Sequence, residues 1–390
     1  MRAGCLSVRI ALILAAAWLA GCSGPSRPRP EWESTAAIRI DTAIEDRRQQ
    51  EDWDKAFATL SSRTREGGLE ILALSAGGQS GAFGAGLMQG WTEAGSRPEF
   101  DLVTGVSTGA LIGVFAFLGP EFDSTLKDVY TKYSTSDVLT RRWWIELPFT
   151  DSYARSSPLR SMLAKYVPDE LVERIGAQSA RGRVFLVATA NMDLDRMRVW
   201  NMTALAADQS LPLSQRGARF RQILAASLSI PTLVNPQFID SHMHADAGLI
   251  RQVFLSDPDH TEDFKRVACA GGPPRIWTIV NRRLSTPPKV VDDHIIDITS
   301  RSVQMLVDSS LSKDVEEVQR LATECKGQFS LAALPIDPAR KDPSGMFDRE
   351  YMRLLNDLGS QMARSGQAWS SSLRHARSPL PEIGPAPTGP

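Results

Sequence analysis

The residues best suited to chemistry are Gly105-Val106-Ser107-Thr108-Gly109. A serine hydroxyl becomes a useful nucleophile once a base takes its proton. Glycines on both sides permit a sharp strand-to-helix turn that a Cβ would crowd, and the serine then projects at the helix N-terminus. The helix dipole stabilises negative charge there. The five-residue pattern is weak by itself, and its neighbours strengthen it. Phe100 to Thr104 reads as a strand before it, and Ala110 to Leu118 as an apolar helix after it. Ser107 is therefore read as a nucleophile, with Gly105 and Gly109 shaping its turn. The plainer reading is a turn serine that only caps the helix.

A second cluster, Ala76-Gly77-Gly78-Gln79-Ser80-Gly81, directly follows the apolar run Leu69 to Leu74. Backbone N–H groups of such a turn can converge on one anion. That anion is either the oxyanion of a tetrahedral intermediate or a nucleotide phosphate. The glycine spacing departs from the dinucleotide pattern and no P-loop lysine follows. With Ser107 on the next strand, an oxyanion site at Gly77 and Gly78 is favoured over close helix–strand packing alone.

A third cluster is His244-Ala245-Asp246-Ala247-Gly248, after the strand-capable segment Leu233 to Ile239. The base for Ser107 is open at this level. His242, His244, His260, His294 and His375 are candidates, and so is a carboxylate. His242 and His244 share one face if they lie on a strand, but only Asp246 accompanies them, so no metal site is expected. No EF-hand pattern occurs, and no cofactor is expected.

These clusters need a frame to bring them together. Further strands are read at Arg183 to Ala190 and Arg275 to Val280, with helices between, for example at Ser157 to Tyr166 and Phe220 to Ala226. Strands alternating with helices predict the α/β class, with a mostly parallel, helix-covered sheet. Gly81 to Trp91 reads as a small-residue helix. Ser302 to Cys325 carries Val303, Leu306, Val307, Leu311, Val315, Val318 and Leu321 at helical spacing, expected to pack into the core. Phe347 to Trp369 reads as a second late helix.

The formal net charge of -1 offers no attraction for nucleic acid. At the N-terminus, Arg2 and Arg9 flank the apolar run Ile10 to Ala20. That run falls short of the roughly 20 residues that span a bilayer and suits a signal-peptide core. Leu19-Ala20-Gly21-Cys22 resembles a bacterial lipoprotein cleavage box. The resemblance implies cleavage before Cys22, a lipid such as palmitate on its sulfur, and attachment to a membrane surface. Ser23 in place of Asp implies sorting to the outer membrane, facing the periplasm. Cys269 and Cys325 would then be the thiols of the mature chain; an oxidising periplasm would allow them to pair, but two separate buried cysteines are favoured over a disulfide, and zinc ligands are not expected. The organisation read from sequence is a signal peptide at 1–21, a tether and polar helical lead-in at 22–68, the catalytic domain with its late helices at 69–376, and a Pro-rich tail at 377–390. Trp53 and Phe57 form a small apolar face in the lead-in. No oligomeric state is legible.

Taken together and in this order, the three clusters resemble the patatin-like phospholipase family. The resemblance covers roughly Leu69 to Leu284, and Ala226-Ser227-Leu228-Ser229-Ile230-Pro231 is similar to that family's ASxAxP stretch. It implies a three-layer α/β/α fold and hydrolysis of an acyl ester in a membrane lipid without cofactor. It also implies a Ser107–Asp246 dyad, an oxyanion loop at Gly77 and Gly78, and a dyad motif completed by Ala247 and Gly248. Three departures stand out. Ser75-Ala76 replaces the usual Asp-Gly, Ser80 takes the place of a cation, and Ala247 replaces a glycine, which would strain the backbone if φ were positive there. Two rival readings are an α/β-hydrolase triad using His260 or His294, and a lipid-binding envelope lipoprotein without catalysis.

Overall fold

A computed structural model describes residues 30–63, 66–134, 137, 140–141, 152–155, 157–286, 290–335 and 347–373. The signal segment, Cys22, His375 and the Pro-rich tail lie outside the described residues. In chain order the strands are β1 (Glu70–Leu74), β2 (Leu102–Val106), β3 (Thr140–Arg141), β4 (Ser152–Arg155), β5 (Val184–Asn191), β6 (Arg196–Asn201), β7 (Thr232–Val234), β8 (Gln237–Ile239), β9 (His242–Asp246), β10 (Arg275–Val280) and β11 (Gln328–Ala333). Eight of them form one sheet in the order β11-β10-β1-β2-β5-β9-β8, with β6 also paired to β5. The run β11-β10-β1-β2-β5 is parallel throughout, and β6, β8 and β9 join antiparallel. Strands β3, β4 and β7 make a separate small sheet.

The central strands β1, β2 and β5 are buried at every position, as a sheet covered on both faces requires. Side-chain alternation divides their residues between two cores. Leu72, Leu74 and Val103 face one layer of helices. Ile71, Ala73, Leu102 and Val106 face the other. The first layer contains the helices Gly81–Glu93, Thr108–Leu118, Leu213–Ser227 and Arg349–Arg364. Helix Gly81–Glu93 is rich in small residues because helix Arg349–Arg364 crosses it closely. A Cβ at Gly86 would sit 1.8 Å from the Asn356 carbonyl oxygen, and one at Gly90 2.2 Å from that of Ser360.

The polar lead-in contains a 27-residue helix, Thr35–Ser61, that packs against the domain. Trp53, Ala56, Phe57 and Leu60 are buried in the second core. Its polar face also has partners. Gln49 accepts from the Val199 N–H, Asp52 pairs with Arg198, and Asp41 meets His242 Nε2. This helix therefore covers β6, the outer neighbour of β5, whose exposed edge would otherwise offer unpaired backbone groups.

Two expectations are corrected. The long late helix, Ile295–Glu324, is core-packed over only half its length. Leu311, Val315, Val318 and Leu321 are buried, whereas Val303 is 54% and Leu306 71% exposed. Thirty residues of helix extend about 45 Å, while the six-residue strands beneath span only about 20 Å. Its first half therefore runs past the sheet. Cys269 and Cys325 do not remain separate thiols. They form a disulfide, with Cα atoms 5.0 Å apart, that joins the end of helix Thr261–Ala268 to the end of the long helix. Strands β6 and β11 are additions to the sequence reading, and the segment Leu233 to Ile239 is divided between β7 and β8.

Candidate active site

The site is built by one strand outlasting its neighbour. Along one edge of β5, Val184 to Ala188 pair with Leu102 to Val106 of β2. The next three residues, Thr189 to Asn191, pair with Asp246, Ala245 and His244 of β9. The other edge of β5 is taken by β6 from Leu186 to Asn191. Strand β9 must therefore continue the line of β2, and Asp246 lies where β2 ends and Ser107 begins.

Ser107 sits at φ 54° and ψ -123°, between β2 and helix Thr108–Leu118. A non-glycine residue in this region stores about 1–3 kcal/mol of strain and persists only where its surroundings fix it. The flanking glycines are sterically required. A Cβ at Gly105 would lie 2.6 Å from Ala110 Cα, and one at Gly109 would lie 2.4 Å from the Leu74 carbonyl oxygen. Both Ser107 and Asp246 are buried, 3% and 6% exposed.

Two serines of the Ala226–Pro231 stretch hold the pair in place. Ser227 Oγ accepts the Ser107 N–H at 3.0 Å. The Ser229 carbonyl accepts the Asp246 N–H at 2.9 Å. The Ser229 hydroxyl in turn donates to the carbonyls of Ala225 and Asn235. The C-terminal end of one helix thus fixes the backbone of both residues.

The Asp246 carboxyl accepts the Gly248 N–H at 2.8 Å and lies close enough to the Ser107 hydroxyl for that group to lower its pKa. Burial pushes its pKa up to about 6, while the Ser107 hydroxyl and the Gly248 N–H pull it down. Above that pH the carboxylate is ionised, beside the serine hydroxyl and poorly solvated. These are the properties of a general base tuned for work near neutrality.

The glycine-rich loop lies beside this pair. Gly78 adopts φ +55° and lines a cavity together with Ser107. Gly77 is pressed against Asn281, where a Cβ would come within 2.1 Å of the carbonyl oxygen. Asn281 fixes the start of the loop by donating its backbone N–H to Ser75 Oγ and its Nδ2 to the Ser75 carbonyl, both at 2.8 Å. The loop's internal turn uses the Ser80 N–H on the Gly77 carbonyl, and neither the Gly77 nor the Gly78 N–H is spent on a loop or turn bond among the described residues. The Tyr130 hydroxyl bonds Thr108 at the first turn of the elbow helix, and burial pushes its pKa up.

The cavity in front of Ser107 is narrow, about 60 Å³, and apolar, with Leu111, Leu159, Met162, Leu228, Ile230 and Val234 in its walls. Such a slot suits the methylenes next to an ester carbonyl.

The histidines are engaged elsewhere. His260 bonds Asp257 through Nδ1 and Gln50 through Nε2, beneath the N-terminal helix. His244 bonds the Thr189 hydroxyl, and burial pushes its pKa down to about 3. His242 meets Asp41. His294 is an exposed residue at the start of the long helix. Among the described residues no group of three or more His, Cys, Asp or Glu gathers in metal-binding geometry.

Two of the sequence departures acquire a structural meaning. Ala247 is fully buried and does not lie in the positive-φ region, so its Cβ introduces no backbone strain. Ser80 lines a second, polar cleft together with Arg282 and Arg283. Ser227, Ser229 and Asn281 support the candidate site, and the sequence alone gave them no role. The first two stood inside a recognised stretch. Asn281 carried no signal of its own beyond ending a strand.

The family model Patatin, described as patatin-like phospholipase, matches residues 72–258. No curated protein sequence matches the chain. Among solved structures, the crystal structure of VipD from Legionella pneumophila is similar at 10% identity over 77% of this chain and 67% of that one, with a TM-score of 0.31.

Proposed function

Because the chain carries a patatin-like phospholipase domain over residues 72–258, a family that implies a lipid acyl hydrolase, we propose that it cleaves lipid esters through a Ser107–Asp246 dyad. In this reading Asp246 takes the Ser107 proton as the hydroxyl oxygen attacks the acyl carbonyl. The N–H groups of Gly77 and Gly78 receive the oxyanion. The tetrahedral intermediate collapses with loss of the alcohol, which recovers the proton from Asp246. Water, activated by the same carboxylate, then releases the fatty acid from the acyl-enzyme. The single observation that carries the reading is the buried Asp246 carboxyl set beside Ser107 where β9 continues the line of β2. The apolar slot supports a lipid acyl chain as the electrophile's substituent.

A surface anchor at Cys22 belongs to the same proposal. The Cys269–Cys325 disulfide favours an oxidising compartment such as the periplasm.

The test is hydrolysis of lysophospholipid micelles by wild type, Ser107→Ala and Asp246→Asn, with a fluorophosphonate to label the nucleophile. Both variants are expected to lose at least about 10⁴-fold in kcat, by analogy with removal of triad members, and Ser107→Ala to lose labelling. Near-wild-type turnover in Asp246→Asn would remove the dyad. Failure of the folded wild type to label would favour a lipid-binding role instead.

A further inference from the structure

Consecutive residues of the glycine-rich loop line two different cavities. Gly78 faces the apolar slot, and the next two residues, Gln79 and Ser80, line a polar cleft of about 190 Å³. That is small beside the roughly 300–1,000 Å³ of pockets that hold a whole ligand, so it suits a single polar group. Its other walls include Arg282, Arg283, Thr286 and Asp308.

Arg282 is held firmly but paired loosely. Its backbone follows Asn281, which is bonded twice to Ser75 at the start of the loop. Its guanidinium reaches Gln252 Oε1 at 3.5 Å and Asp308 at 3.6 Å, both long contacts. Gln252 in turn donates to the Gly248 carbonyl, two residues after Asp246. Burial pushes the Arg282 pKa down and Asp308 pulls it up. Asp308 has other partners as well, since it accepts from the Thr286 N–H and hydroxyl. Among the described residues Arg282 therefore meets one carboxylate that is already engaged, and it has donors left over.

We propose that this cleft is an anion subsite that receives the phosphate of the substrate, a phosphomonoester or phosphodiester placed beside the ester that Ser107 attacks. The assignment rests on the lipid-hydrolase reading above. In it consecutive residues of the glycine loop border two recognitions, Gly78 that of the acyl chain and Gln79 and Ser80 that of the phosphate. Arg282 binds the phosphate as a charge-assisted donor, and the Ser80 hydroxyl, which has no partner among the described residues, lines the same space.

The experiment compares a lysophospholipid with a monoacylglycerol of the same acyl chain, for wild type, Arg282→Gln and Arg283→Gln. The ratio of kcat/KM for the phosphate-bearing substrate to that for the uncharged one is expected to fall about 10- to 100-fold in Arg282→Gln, the usual effect of losing a hydrogen bond to a charged group, and less in Arg283→Gln. An unchanged ratio, or equal losses on both substrates, overturns the subsite. A second measurement needs no turnover. Calorimetric titration of Ser107→Ala with glycerol 3-phosphate is expected to give binding that Arg282→Gln abolishes in the same background. No binding overturns the subsite even if lipid is hydrolysed. Binding without any lipid hydrolysis by wild type overturns the catalytic reading and leaves the anion site standing. Inorganic phosphate bound as tightly as glycerol 3-phosphate, with an unchanged substrate ratio, makes this a free-anion site and overturns the substrate assignment.

Discussion

Two aspartates in this molecule are buried almost equally, Asp246 at 6% and Asp257 at 5% exposure, and they are treated in opposite ways. Asp257 is surrounded by donors. Oδ2 accepts from Gln49 Nε2 and Trp53 Nε1, both at 2.8 Å, and Oδ1 accepts from the His260 N–H at 3.0 Å and meets His260 Nδ1 at 2.6 Å. Asp246 has one backbone N–H and the Ser107 hydroxyl. Burying a carboxylate is tolerable when hydrogen bonds replace its water, and costly when they do not. The first aspartate locks the N-terminal helix onto the domain. The second is left under-compensated next to a strained serine, which is where catalytic groups are found. Satisfaction, and not burial, separates the structural carboxylate from the one proposed as the base.

The most direct way to break this comparison after the dyad variants themselves is Asp257→Asn. Whichever way the amide is turned, its NH₂ faces N–H donors and one pair loses its acceptor. A loss of roughly 2–4 kcal/mol in unfolding free energy is expected, measured by urea titration. In the folded fraction kcat should stay within about twofold of wild type. A large kcat effect with unchanged stability would mean that Asp257 and His260 take part in the chemistry after all.

The converse change, Asp246→Asn, should stabilise the protein while silencing it. Its folded pKa is raised from 3.8 to about 6. Stability from the protonated carboxyl is therefore fully present below about pH 4 and is lost as pH rises through about 6. Asparagine keeps an acceptor for the Gly248 N–H and does not titrate. The variant should gain up to roughly 3 kcal/mol over wild type at pH 8, from about two pKa units at 1.36 kcal/mol each, and nothing below pH 4. Melting curves across this range are the measurement. A gap between variant and wild type that does not change with pH would mean the aspartate is not under-compensated. The same titration predicts that wild-type kcat/KM rises with pH to a plateau above about 6.

How much of this was legible in sequence follows from locality. The elbow is local, because Gly105, Ser107 and Gly109 contact one another and the strand beside them, and so it could be read. The class of the fold was legible from buried strands alternating with helices. The place of Asp246 was not. It depends on β9 pairing with the last three residues of β5, a non-local register that a five-residue strand containing His242, His244 and Asp246 does not announce. Only family resemblance singled it out. The disulfide joins cysteines 56 residues apart, beyond any local signal. The stripe on the long helix specified a helix correctly but could not say that the sheet ends beneath its midpoint. The departures at Ala247 and Ser80 looked like defects until φ at one and the neighbours of the other were known.

The smallest expected effect sharpens the comparison from the serine's side. Ser107 holds a strained backbone, and its N–H is accepted by Ser227 Oγ. Ser227 is fully buried and touches no reacting atom, so it acts as a positioning residue. Ser227→Ala leaves a buried N–H without that acceptor, a cost of about 1–3 kcal/mol. Part of it falls on stability and part lets the elbow relax away from attack geometry. We expect kcat to fall roughly tenfold, equivalent to about 1.4 kcal/mol, with KM within about twofold and the midpoint of the pH profile still near 6. The unchanged midpoint matters, because Asp246 keeps its own bond to the Ser229 carbonyl and its own burial. A shift of that midpoint would show that the two halves of the dyad are not positioned independently. A loss confined to KM would show that Ser227 shapes the substrate slot and not the nucleophile.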